Sequence, residues 1–408
     1  MRKAAVVLAA LLAHATWSAG ARAAWPTVDG VMRAAQERAP DMAEARGLAT
    51  VAKAGASAAR LSPLNNPYLE MFVDRGRDTK DVTIATNLWL PVEINGQRGS
   101  RIEESDKLIG WRERQLAQTR AAVAAAALVA YGHVLVAHAR VAETREAVEY
   151  AKRESEYFAA RLAAQDTTRY EKSLADAEVS RWMLLNAEAT VGFTQARTNL
   201  ALLLGDDVGD PPEGAAPTPP PLRNAWDAPH IARVLDAHPQ LQALRAEQQY
   251  WKATSARWNA DKNVPLNFIL SAGRGDAGEA RLGGGLSWTF PFLRKNQGEV
   301  AKANAEELRA NTLEASYRVV LRTSVDGTVR SLRTLTQALA ELDTNGLVAM
   351  EKVLEAAKEG YKLGKVELFR VLAARRDLVL ARTRRLDVLD AVWRATGELT
   401  VLSGGDLP

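Results

Sequence analysis

Histidine, the commonest metal ligand and proton shuttle, occurs five times in this chain. Beyond the N-terminal segment the copies are His133, His138, His230 and His238, and none makes the i,i+4 pair of a helical metal site. His133 and His138 stand five apart, point to different faces of a helix and are expected on the surface. The glycine run Gly283-Gly284-Gly285 falls inside a strand-like segment, where tight curvature is a better reading than a phosphate cradle. Carboxylates are plentiful because solvated helices need them. No set of residues reads as catalytic, so neither an enzyme nor a cofactor or metal site is expected.

If the side chains carry no reaction, the elements that position them carry the function. The 408 residues have a net charge of +4 and no cysteine. Lys and Arg are interleaved with Asp and Glu along helical runs, a pattern that argues against nucleic-acid binding. Arg2 and Lys3, an apolar stretch over 4–13 and Ala21-Arg22-Ala23 read as a cleavable signal peptide over 1–23. Without cysteine there is neither a disulfide framework nor a lipid-acceptor thiol. Past the signal no stretch approaches the roughly 20 apolar residues of a spanning helix, so a membrane crossing would be made by strands.

The second half repeats the first at an offset of about 199 residues. Glu37-Arg38-Ala39-Pro40 answers Asp236-Ala237-His238-Pro239, Trp89-Leu90-Pro91 answers Trp288-Thr289-Phe290-Pro291, and Leu203-Leu204-Gly205 answers Leu402-Ser403-Gly404. The expected organisation is a first repeat over 24–205, a Pro-rich connector over 206–225, a second repeat over 226–404 and a tail over 405–408. Each repeat reads as helix, strand pair, long helix, turn, helix.

Residues 97–163 and 297–363 are almost free of proline and read as helices of roughly 65 residues, about 100 Å at 1.5 Å per residue. The returning helices, 167–204 and 366–402, are half as long and carry seven-residue lines: Leu372, Val379, Leu386 and Trp393, and Ala175, Trp182, Ala189 and Ala196. The opening helices, 28–61 and 226–260, are also half length. One of them stacked end to end on a returning helix matches the long one, which describes a cylinder wall. Strands are expected over 68–73, 82–90, 266–272 and 282–290. In the last, Leu286, Trp288 and Phe290 alternate with Gly285, Ser287 and Thr289, an apolar-out, polar-in membrane pattern. Trp89 and Trp288 suit a membrane interface. Four strands cannot close a barrel, since small closed ones have about eight, so each chain must supply one sector of an oligomer.

The junctions Leu90-Pro91-Val92-Glu93-Ile94-Asn95-Gly96-Gln97-Arg98 and Phe290-Pro291-Phe292-Leu293-Arg294-Lys295-Asn296-Gln297-Gly298, and the tip Gly360-Tyr361-Lys362-Leu363-Gly364 followed by Val371-Leu372-Ala373-Ala374, resemble the TolC-type outer-membrane efflux proteins. The resemblance covers essentially the whole mature chain. It implies a mainly α fold with a transmembrane β-barrel sector. Long antiparallel α-hairpin coiled coils would form a periplasmic α-barrel, and four strands per chain would complete a 12-stranded barrel in a homotrimer set in outer-membrane lipid. It also implies an exit duct serving a periplasmic adaptor and an inner-membrane pump, of the RND type by preference. The chain is short for the family, which points toward the heavy-metal (Czc-type) branch. A multidrug or type I protein secretion duct is the alternative within the class, and a pore-free periplasmic coiled-coil scaffold or adaptor is the alternative outside it.

In that family acidic side chains just past the tip glycine line the aperture. Here Tyr361 and Gly364 match the tip, but Arg370 and Ala373 stand where the acidic ring would fall. In the first repeat Gln165 occupies the glycine position, and Glu171 answers Arg370. Asp166, Glu171, Glu367 and Arg370 are therefore read as a mixed-charge gate, each ion pair contributing on the order of 1 kcal/mol.

Overall fold

A computed structural model describes residues 25–62, 65–75, 82–215, 217–220, 226–263, 265–275 and 278–407. The expected signal peptide, and parts of the strand loops and of the connector, lie outside the described residues. In chain order the elements are α1 (Val28–Arg38), α2 (Pro40–Ala59), β1 (Tyr68–Arg75), β2 (Val82–Val92), α3 (Gln97–Ala163), α4 (Arg169–Leu204), α5 (Ala228–Ala237), α6 (Pro239–Ala260), β3 (Leu266–Arg274), β4 (Ala280–Ser287), α7 (Gln297–Glu341), a π turn (Leu342–Gly346), α8 (Leu347–Lys362) and α9 (Leu368–Leu402).

Proline corrects the expectation of unbroken opening helices over 28–61 and 226–260. Ala39 and His238 sit at ψ 139 and 126, because a residue preceding proline is driven out of the helical region, and Pro40 and Pro239 then begin new helices at a position that needs no N–H. The second long helix also differs from the continuous run expected over 297–363. It passes through the π turn, where Asp343 holds Arg385 of α9 through two guanidinium nitrogens.

His238 caps α6, its Nδ1 accepting the N–H of Gln240 at 3.1 Å. It is buried, its Nε2 has no partner, and burial lowers its pKa from 6.5 to about 4. Below pH 6.5 the unfolded chain takes up a proton that the folded one refuses, so this histidine's share of stability falls as pH drops from about 6.5 toward 4, by up to about 3 kcal/mol. Thermal melts at pH 7.5 and 5 should show that loss, and His238→Asn, which keeps a capping oxygen without a titrating ring, should flatten it. Equal pH slopes in the two proteins would count against the cap.

The four strands form one antiparallel sheet in the order β1-β2-β3-β4, with β1 and β4 as open edges. Side chains alternate across a strand, and directly paired residues share a face. The pairing therefore gathers Leu69, Leu88, Leu270, Met71, Leu282 and Leu286 on one face. The other carries the rows Glu70-Asn87-Ser271-Gly283 and Tyr68-Trp89-Ile269-Gly285. The last strand ends at Ser287, short of the 290 expected, so Trp288 and Phe290 lie beyond it.

Below the sheet, α3 packs against α2 and α6 near the strands and against α4 and α9 farther away, while α7 and α8 run along α6 and α9. The half-length helices thus stack in pairs beside the full-length ones. Both heptad lines are buried: Leu372, Val379, Leu386 and Trp393 lie on one seam, and Ala175, Trp182, Ala189 and Ala196 on the other. The expectation that no helix carries a spanning-length apolar stretch is corrected. In α3 an 18-residue window reaches a mean hydropathy of 1.7, and 67% of it is buried in the protein, as in a core helix. His138 also departs from its expected surface position, half-buried with its ring 5.4 Å from Phe193, whereas His133 is exposed and paired with Asp390 at 2.9 Å.

Candidate functional site

The hairpin tips are the end of the molecule farthest from the sheet. At the α3–α4 turn Gln165 adopts φ 58, and at the α8–α9 turn Gly364 adopts φ 68. The two repeats thus close their helices with the same left-handed residue, and only the second uses the side chain that adopts it without strain. Thr168 caps α4, its hydroxyl accepting the N–H of Glu171 at 3.2 Å. The Glu171 carboxylate reaches back to the N–H of Thr168 and to the hydroxyl of Thr167, completing a capping box.

Arg161, in the last turn of α3, joins the tips. Its Nε donates to Asp166 Oδ2 at 2.8 Å, its Nη2 to the Asp166 carbonyl at 2.7 Å and its Nη1 to the Tyr361 hydroxyl at 3.0 Å, across a gap of 200 residues in sequence. The Asp166 hydrogen bond holds this guanidinium firmly charged. Burial pushes the Tyr361 hydroxyl pKa up and the charge of Glu171 adds to it, with Arg161 pulling the other way. Behind this link Phe158, Ala175, Leu368 and Leu372 form an apolar knot. Glu154 pairs with Arg375 at 3.3 Å, and Arg375 lies over the Tyr150 ring. Burial outweighs the attraction of this pair for both partners, raising the pKa of Glu154 and lowering that of Arg375. A cleft of 1170 Å³ opens between the tips, lined by Tyr150, Tyr157, Arg161, Asp166, Glu171 and Tyr361 among others.

Of the residues read from sequence, Asp166, Glu171, Tyr361 and Gly364 therefore gather around this cleft. Glu367 takes the N-cap position of α9 without a side-chain capping bond, and Arg370 is exposed with no ion pair among the described residues. Glu171 and Arg370, which answer each other in the repeat, do not pair within one chain, and the Glu171 carboxylate is engaged in its cap. At the other end Trp89 lies on the polar face of the sheet, stacked on Tyr68 at 5.3 Å with its Nε1 donating to Glu70 at 3.2 Å. Trp288 is exposed beyond β4 and packs 4.6 Å from Phe290. Among the described residues no group of three or more His, Cys, Asp or Glu is placed to hold a metal ion.

No family model matches the sequence. The structure of the Campylobacter jejuni CmeC outer-membrane channel superimposes with a TM-score of 0.78 at 15% identity, over 93% of this chain and 86% of that one. This is the TolC-type outer-membrane channel fold. A structure of CusC, described in terms of folding and transmembrane channel formation, matches with a TM-score of 0.73 at 14% identity, over 97% of this chain and 96% of that one. In sequence the chain is similar to the cobalt-zinc-cadmium resistance protein CzcC of Cupriavidus metallidurans, 26% identical over 353 residues, 86% of this chain and 83% of the relative.

In this channel fold the residues that sequence reasoning passed over at the tips are Arg161, Glu154 and Arg375. Arg375 had a usable signal. It stands three residues after Leu372 and four before Val379, a core spacing, so a charge there had to be buried against a partner. Arg161 had none, since its partner Tyr361 belongs to the other repeat.

Proposed function

We propose that the chain is the outer-membrane exit duct of a tripartite efflux system. The observation that carries this reading is a four-stranded sheet, apolar on one face, polar on the other and open at both edges, continuous with α3, a helix of 67 residues. Such a sector closes only in an oligomer. Three copies give 12 strands around one lumen, with a wall of paired helices beneath, so the assembly is a homotrimer. The barrel sits in the outer membrane and the helices cross the periplasm, where an adaptor meets the tips and couples them to an inner-membrane pump. Conduction is passive. Similarity to the cobalt-zinc-cadmium resistance protein CzcC supports divalent metal cations as cargo, and the pump is taken to be of the RND type.

The tips are the gate in this reading. The Asp166–Arg161–Tyr361 link fixes the two hairpins of one chain to each other, and Glu171, Glu367 and Arg370 complete the charged ring between chains. Detergent-extracted protein should migrate as a heat-modifiable trimer and conduct in planar bilayers. Arg161→Ala, which removes both arms of the link, should raise closed-state conductance several-fold, and Arg370→Glu should raise it less. Unchanged conductance in both variants would place the gate elsewhere, and a water-soluble monomer without conductance would end the duct reading in favour of a pore-free scaffold.

A further inference from the structure

Between α5 and α7 lies a groove of 800 Å³ whose floor includes Trp226, Ile231, Leu235 and Val329. Its floor is only half closed. None of the described residues of α5 is buried, and the buried Trp226 indole N–H has no partner. Along the α7 rim stand Arg322, Arg330 and Arg333, all exposed. Arg330 donates to the Asp326 carbonyl and Arg333 to the Trp226 carbonyl, and none of the three has a carboxylate partner among the described residues. The acids of the groove are occupied or few: Asp236 pairs with Arg318, Asp227 caps α5, and Asp326 sits between the arginines.

The opposite flank of the chain carries the complementary charge. Immediately after α4, the connector presents Asp206, Asp207, Asp210 and Glu213. Two of these carboxylates share the single guanidinium of Arg197, and the ion pair of Asp206 among the described residues is a long one, to Arg38 at 3.9 Å. Glu213 is exposed with no ion pair among the described residues, and Leu202 beside this segment is also exposed.

The two surfaces lie at one height. Neighbouring residues of α9 reach both clusters: Trp393 packs with Leu128, Leu200 and Leu204 near the connector, and Val392 with Val325, Val329 and Trp226 beneath the groove. Ala124 and Val325 each lie about 40 Å along helices that start directly below the sheet, at 1.5 Å per residue. Groove and connector are thus level and on opposite flanks, the arrangement that a head-to-tail ring brings together.

We propose that the arginine rim of the α5–α7 groove receives the acidic connector, residues 206–213, of the neighbouring copy, forming an electrostatic clasp around the equator of the assembly. The clasp rests on the oligomeric duct reading and specifies which surfaces of two copies meet. It closes the apolar floor with the partner's Leu202 and connector prolines, and it gives the unpaired arginines their carboxylates.

Because the chain has no cysteine, introduced thiols report without background. Full-length protein carrying both Arg330→Cys and Glu213→Cys, treated in membranes with a short bis-maleimide, should run as covalent dimers and trimers under denaturing conditions, while either single variant stays at the monomer position. Independently, Arg330→Glu should lose the detergent-resistant trimer band at a lower temperature, and adding Glu213→Arg should restore it. A heat-modifiable, conducting trimer that shows neither the cross-link nor the rescue overturns the clasp and leaves the duct standing. An unsubstituted chain that is monomeric and non-conducting overturns the duct reading itself.

Discussion

Arg101→Met should be among the most destabilising single substitutions in this chain, lowering stability by about 3–5 kcal/mol, the usual cost of breaking a buried ion pair from one side. Arg101, the fifth residue of α3, grips Glu93 through two nitrogens, Nη1 to Oε1 at 2.6 Å and Nη2 to Oε2 at 3.2 Å, and Nη2 also donates to the Leu61 carbonyl at 3.0 Å. The two side chains are only 8% and 7% exposed. This one guanidinium therefore ties the end of α2, the exit from β2 and the start of α3 at the place where barrel becomes wall. Methionine fills the volume of the stem but strips Glu93 of that guanidinium in a site with little water. Heat dissociation of the extracted protein is the measurement, and Glu93→Leu added to Arg101→Met should recover much of the loss, because the second change removes the buried carboxylate that lost its guanidinium. A single variant that dissociates like the unsubstituted chain would mean that the pair is solvated in the assembly.

Gly132→Val should come next. A Cβ at Gly132 would lie 2.2 Å from Trp393 Cδ2 and 2.3 Å from Cγ, inside the ring of a fully buried side chain. Four residues along α9 the contact is reciprocated, with a Cβ at Gly397 falling 2.3 Å from Val129 Cγ2 of α3. Each helix thus presses one side chain onto a glycine of the other, and this exchange sets how closely α3 and α9 approach. Alanine at Gly132 would gain roughly 1 kcal/mol of helix propensity against a clash of about 1–3 kcal/mol, so it already destabilises, by up to about 2 kcal/mol. Valine gains less propensity and adds two methyl groups, which must force the helices apart. The expected loss is about 3 kcal/mol, read by heat dissociation. Trp393→Leu in the same chain should relieve part of it, and strict additivity of the two changes would show that the ring is not the obstacle.

Much of the architecture was legible because it is periodic. The duplication, the long helices and the buried heptad lines all follow from spacings that a chain must keep to bury one face, and Leu372, Val379, Leu386 and Trp393 occupy the seam that their spacing implies. Local chemistry was read less fully. Pro40 and Pro239 mark the repeat, and the same two residues also split each opening helix in two. Trp89 shows a subtler limit. Its type suits a membrane interface, but strand parity decides its face, and only the pairing with Tyr68 and Ile269 fixes which face is which.

By itself the sequence determined that two copies of a strand-and-hairpin unit build one sector of a strand-and-helix wall. Only the tertiary structure decided which charges meet. Arg161 finds Tyr361 and Arg375 finds Glu154 across some 200 residues, and Glu171 turns back into its own helix cap instead of reaching Arg370. The physical reason is range: helix and strand periods are set by neighbours along the chain, whereas an ion pair depends on distances of a few ångström that only the packed repeats create.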